Sequence, residues 1–126
     1  MKYIILMYAA EGAWPPDEYQ VALAESIELC HRLNDEGKYI SAAPLQPPET
    51  AKCIRVRDGQ TKVSDGPFAE TKEQLGGYFL VEAHDLDDAI AIAATIPGTR
   101  RGTAEIRPLF PLPEMSCIED EVEGHS

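Results

Sequence analysis

The amino-acid sequence predicts an α+β domain in which two β-α-β units flank an inserted β-hairpin. Three observations carry that prediction. Apolar runs too short for helices stand at residues 3–8 and 78–81, two longer segments repeat apolar residues every three or four positions, and Asp58-Gly59 separates two strand-like runs. At 126 residues the chain is long enough for one ordinary core and too short for two.

Tyr3-Ile4-Ile5-Leu6-Met7-Tyr8 is almost unbroken in apolarity, as expected of a central strand covered on both faces. Pro15 and Pro16 stop it by removing backbone donors and restricting their neighbours. From Asp17, read as the N-cap, a helix runs to Glu36 and ends at Gly37. Tyr19, Ala22, Leu23, Ile27, Cys30 and Leu33 mark its inner face, and Glu25, Glu28, Arg32 and Asp35 its wet one. Residues 38–45 read as a second strand closed by Pro44, Pro47 and Pro48.

Residues 53–65 carry the hairpin. A two-residue turn at Asp58-Gly59 sets Arg57 opposite Gln60, Val56 opposite Thr61, Arg55 opposite Lys62 and Ile54 opposite Val63. Arg55, Arg57 and Lys62 then share one face, either because that face is wet or because it holds an anionic ligand or acidic groups of a partner subunit. Residues 76–83 form the next strand, where Gly76-Gly77 permits a bend or a close backbone approach. Asp85 caps a second helix whose stripe is Leu86, Ala89, Ile90, Ala93 and Ile96, and Pro97-Gly98 stops it. Residues 103–109 make the last strand, and the ordered domain closes at Phe110.

The order β-α-β, hairpin, β-α-β contains the ferredoxin-like plan, a split βαβ unit with two helices on one face of a mainly antiparallel sheet. Its other face needs a cover, and a second copy would supply one, enclosing a cleft for a small molecule between two sheets. The segment 111–126 is an acidic tail with five carboxylates and no basic residue, which leaves residues 1–110 at −6. The whole chain carries −11, which repels a phosphate backbone and speaks against nucleic acid as a partner. No stretch is apolar for the ~18–20 residues a bilayer crossing needs, and no leader pattern opens the chain, so a cytoplasmic protein with no membrane partner is expected. Cys30, Cys53 and Cys117 are odd in number and show no ligand spacing, so they read as reduced thiols. The histidines likewise form no ligand pattern, and neither a metal nor another cofactor is expected.

Candidate site residues cluster near Asp65-Gly66-Pro67-Phe68. Asp65 and Glu70 flank a turn followed by Lys72, and either carboxylate can serve as a proton acceptor if its surroundings tune it. A purely structural reading is also open, with Asp65 capping the turn, Gly66 taking an unusual backbone angle, Pro67 stiffening it and Phe68 anchored in the core. His31, at the edge of the helical stripe, reaches a cavity as proton donor or points to solvent. Tyr78 and Tyr8 offer phenolic hydroxyls or simply pack, and Arg55 and Arg107 are candidates to position an anion.

The run Asp65-Gly66-Pro67-Phe68-Ala69-Glu70-Thr71-Lys72-Glu73-Gln74-Leu75-Gly76-Gly77-Tyr78 resembles the signature of the DGPF branch of the YCII-related family. Tyr8, Trp14, Leu45-Gln46-Pro47, Arg55-Val56-Arg57-Asp58-Gly59 and Arg107-Pro108 extend the resemblance over residues 1–110. It implies a bacterial, cytoplasmic homodimer, a dimeric α+β barrel of two ferredoxin-like subunits. Relatives in that family use a His–Asp pair, and one activity among them is lyase-type removal of chloride from a chlorinated hydroxyhydroquinone. This chain departs from them, because His31 is the sole histidine of its first half and lies late in the helix. Two functions follow from the resemblance: a metabolite-binding protein with cofactor-free lyase or isomerase chemistry, or a regulatory or interaction module associated with an extracytoplasmic-function sigma factor.

Overall fold

A computed structural model describes residues 1–112; the segment 113–126, which holds most of the acidic tail together with Cys117 and His125, lies outside the described residues. The chain runs β1 (Lys2–Ala10), α1 (Pro16–Asp35), β2 (Tyr39–Pro44), β3 (Lys52–Arg57), β4 (Gln60–Asp65), β5 (Glu73–Glu82), α2 (Leu86–Thr95) and β6 (Thr103–Pro108). Short 3₁₀ turns at Pro48–Thr50 and Pro97–Arg100 complete it. Four strands form a sheet in the order β2-β5-β1-β6, every neighbouring pair antiparallel. β1 and β2 are therefore parallel with β5 between them, and β5 and β6 with β1 between them: the ferredoxin-like α+β plan.

Alternation along the strands sorts the sheet into two faces. Tyr3 and Ile5 of β1 and Phe79 and Val81 of β5 meet Leu29 and Leu33 of α1 and Ala89, Ile92, Ala93 and Ile96 around α2, making one core beneath both helices. Ile4 and Leu6, opposite Leu80 and Tyr78, lie on the other face and stay half-exposed in the single chain. β1 is thus covered on one face rather than two, because both crossover helices fall on the same side of the sheet.

The helices begin and pack a little differently from their sequence patterns. α1 starts at Pro16 after Pro15, with no side-chain cap, so Asp17 lies inside the first turn and acts on the helix dipole instead. Leu29, absent from the predicted stripe, is buried, whereas Ile27 is exposed because that shoulder of the helix looks past the core into a cavity. In α2 the core takes Ile92 and leaves Leu86 and Ile90 about half exposed. Asp85 does cap α2, accepting from the Asp88 backbone N–H at 2.9 Å. The Asp88 carboxylate in turn accepts from the His84 backbone N–H at 2.9 Å and from Lys38 Nζ at 3.2 Å.

Those two bonds, the backbone one foremost, hold the Asp88 carboxyl below the ordinary carboxylate pKa. A depressed folded-state value means that the stabilisation is complete above the ordinary carboxylate pKa of about 4 and is lost as pH falls through the depressed one. Asp88→Asn is expected to lower the urea midpoint at pH 7, with the gap to the wild type closing as pH falls through that depressed value.

The hairpin register matches the predicted pairing, Arg57 with Gln60 through Ile54 with Val63, because Asp58 (φ 52°) and Gly59 (φ 74°) both take the left-handed angles of a two-residue turn. At the start of β5, the register slips between Met7 and Tyr8, leaving Gly76 as the extra residue of a bulge. A Cβ on Gly77 would stand 2.9 Å from the Ala43 carbonyl oxygen, so the second glycine permits close approach of β2. Gly77→Ala is expected to cost ~1–3 kcal/mol in chemical denaturation through this backbone clash.

Candidate functional site

The bulge, the β1–α1 segment and the first half of α1 leave a cleft with two chambers on the helix side of the sheet. The inner chamber, about 300 Å³, lies between the shoulder of α1 (Tyr19, Leu23, Ile27, Cys30) and the strands β2 and β5. The outer chamber, about 720 Å³, opens at the end of β1 beneath Leu45-Gln46-Pro47 and Pro67. Met7, Trp14, Tyr19, Pro44, Gly76 and Gly98 line both, so the two form one continuous site.

The inner chamber is apolar in character. Ser26 spends its hydroxyl on the Ala22 carbonyl at 2.8 Å, and burial pushes the Cys30 thiol pKa up, keeping it protonated. Polarity gathers at the mouth, where Glu11, Gln46, Glu49 and Gln74 stand. The Gln74 amide also donates to the carbonyls of Ala69 at 3.2 Å and Thr71 at 2.9 Å, which ties down the return of the 66–73 turn.

Trp14 is the shared wall. The Arg101 guanidinium lies 4.5 Å from the centre of its ring, donates to the Ala13 carbonyl at 3.3 Å and pairs with Glu18 at 2.6 Å. The Glu18 bond raises the Arg101 pKa further, so this cation is permanent. One side chain from the turn before β6 thereby holds the ring, the segment before α1 and the first turn of the helix.

The predicted site residues fall in four places. Asp65 pairs with Lys52 at the root of the hairpin and is exposed, and Arg55, on the hairpin, stacks 5.4 Å from the centre of the Phe68 ring. Glu70 and Lys72 are exposed on the turn, of which Pro67 is the one residue between 65 and 72 to line the cleft. His31 is exposed on α1 and lines neither chamber. Arg107 and the Tyr78 side chain belong to the open sheet face, where Tyr78 and Ser41 share a hydroxyl–hydroxyl bond of 2.8 Å, and Tyr78 is also among the residues that line the inner chamber. Nearby, Tyr8 donates to Glu105 at 3.2 Å; burial first, then the Glu105 charge, raises its pKa, with Arg107 opposing. Asp65, Glu70 and His31 therefore do not converge within one chain.

Two features of the turn differ from its structural reading. Gly66 has no left-handed φ; it is glycine because a Cβ would come within 2.9 Å of Ala51 Cβ and 3.2 Å of Cys53 Sγ. Phe68, 77% exposed, lies outside the core, because the turn projects beyond the reach of the helices. Glu11, Glu49 and Tyr19 were not singled out as ligand contacts from the sequence. The usable signal was the resemblance itself, since Tyr8, Trp14, Leu45-Gln46-Pro47 and Gln74-Leu75-Gly76 all line the cleft. Among the described residues no group of three or more His, Cys, Asp or Glu is placed to hold a metal ion, and no helix is long and apolar enough to cross a membrane.

Fold and cleft together define a ferredoxin-like α+β protein with a mostly apolar cleft between its first helix and its sheet. The YCII-related domain matches residues 1–113, and the chain belongs to that family. An uncharacterized protein of Rhizobium meliloti (strain 1021) is 35% identical over 114 residues, covering 86% of this chain and 92% of its own. The fold is also similar, at 15% identity and a TM-score of 0.52, to 5-chloro-2-hydroxyhydroquinone dehydrochlorinase (TftG) of Burkholderia phenoliruptrix AC1100 in complex with 2,5-dihydroxybenzoquinone, covering 87% of this chain and 94% of that one.

Proposed function

We propose that this protein is a homodimer that binds a small aromatic metabolite in the cleft between α1 and the sheet and acts on it by cofactor-free acid–base chemistry of the lyase or isomerase kind. The observation that carries the reading is convergence: four segments far apart in sequence, around Tyr8, Trp14, Leu45-Gln46-Pro47 and Gln74-Leu75-Gly76, line one cleft. An apolar cavity of about 150 Å³ is enough to hold benzene, so the 300 Å³ inner chamber accommodates a substituted ring while the mouth addresses its polar substituents. The similar dehydrochlorinase, with its bound quinone, supports a ligand of that shape.

Asp65 and Glu70, on either side of Pro67, are the proton acceptors proposed, with Tyr78, which lines the inner chamber, or His31 as donor; Asp65, Glu70 and His31 line neither chamber of their own chain and would act on a ligand held by the second copy. Arg55, Lys72 and Arg107 lie away from the chambers of their own chain and would position an anionic substituent from the second copy. Trp14 is the chain's single tryptophan and lines both chambers, so its fluorescence reports occupancy directly. Titration with hydroquinone, chlorohydroquinone and small lactones is expected to quench it saturably, with turnover of at least one compound. Asp65→Asn or Glu70→Gln should lower that turnover by ~100-fold or more while quenching and melting temperature hold. No saturable quench across the panel would sink the binding reading; wild-type turnover in both variants would sink the acid–base assignment.

A further inference from the structure

We infer that the β3–β4 hairpin is an arm whose apolar face packs against a second copy of this chain; the inference rests on the homodimer proposed above. β3 and β4 pair with each other alone, as a two-stranded sheet separate from the main one. Of their strand residues only Cys53 is partly sheltered. A lone two-stranded hairpin is marginal in water and needs a further surface to hold it. This one presents Ile54, Val56 and Val63 on one face at 67%, 59% and 64% exposure, three β-branched side chains aligned by the register with no cover among the described residues.

Charge selects the occupant. The hairpin, residues 52–65, carries Lys52, Arg55, Arg57 and Lys62 against Asp58 and Asp65, a net +2, whereas the rest of the described chain carries −8. A second copy therefore offers the arm an acidic body, and local opposition of charge orients the contact while the apolar face supplies it. The acidic segment 113–126 of the same chain, with five carboxylates, is the rival occupant that the test separates. Leu109 donates its N–H to the Lys2 carbonyl at 2.9 Å, so the chain leaves the domain beside the start of β1. The hairpin is rooted near the far end of that strand, about 25 Å away along it.

The test is sedimentation of the full chain over a concentration series, together with amide hydrogen exchange of residues 52–65. The wild type is expected to dimerise, and its hairpin amides to gain protection as the dimer forms. Ile54→Ser/Val56→Ser, at exposed positions that the fold does not use, should weaken the dimer at least tenfold and remove that protection. Arg55→Glu/Arg57→Glu should slow association at low salt and leave dissociation unchanged. A wild-type dimer whose dissociation constant is unmoved by the serine pair overturns the arm and leaves the homodimer standing. A wild type that stays monomeric overturns both. Deletion of residues 113–126 that removes the hairpin protection while leaving the dimer unmoved assigns the arm to the tail of its own chain and overturns the second copy as its occupant.

Discussion

Ile5→Ala is expected to destabilise the protein by ~2–5 kcal/mol, a large part of the ~5–15 kcal/mol that holds a domain of this size together. Ile5 is fully buried at the middle of β1, with Phe79 opposite it on β5 and Ile106 on β6, beneath the helices. Truncation leaves a cavity that paired strands on both sides and helices above cannot collapse to fill. Ile4 provides the control, since it faces the open side and is half-exposed in a single chain. Ile4→Ala should cost markedly less in dilute solution, and its cost should grow with protein concentration if a second copy covers that face. Urea midpoints for both variants at two protein concentrations decide the matter; equal losses for Ile4 and Ile5 in dilute solution would contradict the one-sided core.

Trp14→Ala is expected to weaken ligand binding by about 2 kcal/mol, roughly thirtyfold. The indole is a wall of both chambers, and its removal joins them to solvent instead of to each other. Because the variant has lost its fluorophore, calorimetric titration with chlorohydroquinone is the appropriate readout. Trp14→Phe should recover most of the affinity by restoring an apolar ring. Arg101→Ala leaves the ring present but frees it from the guanidinium and from the Glu18 pairing, so its effect should fall between the two. An unchanged affinity in Trp14→Ala would place the ligand elsewhere.

Hairpin register shows how far local pattern reaches. Asp58-Gly59 accepts left-handed angles, the turn then sets every pair from Arg57–Gln60 to Ile54–Val63, and no distant residue has a say. The Asp85 cap is equally local, a carboxylate three residues from the N–H it accepts. The stripe of α1 is half legible. Tyr19, Leu23, Ile27 and Cys30 are apolar as a buried face would be, yet they border the inner chamber, and periodicity does not distinguish a helix face that meets a core from one that meets a cavity. The turn misleads in the same way: Asp65, Glu70 and Lys72 are close along the chain, but the one member that reaches the cleft is Pro67.

Taken alone, the sequence determined the order of strands and helices, the hairpin register, the cap of α2 and the family to which the chain belongs, because each depends on residues within a few positions or on a contiguous motif. Only the tertiary structure decided that the cleft lies on the helix side of the sheet, that Trp14 closes it under Arg101, and that His31, Asp65 and Arg107 stand in separate regions. Such placements depend on strand order and on a one-residue bulge opposite Met7 and Tyr8, which bring together side chains tens of residues apart and leave no period in the sequence.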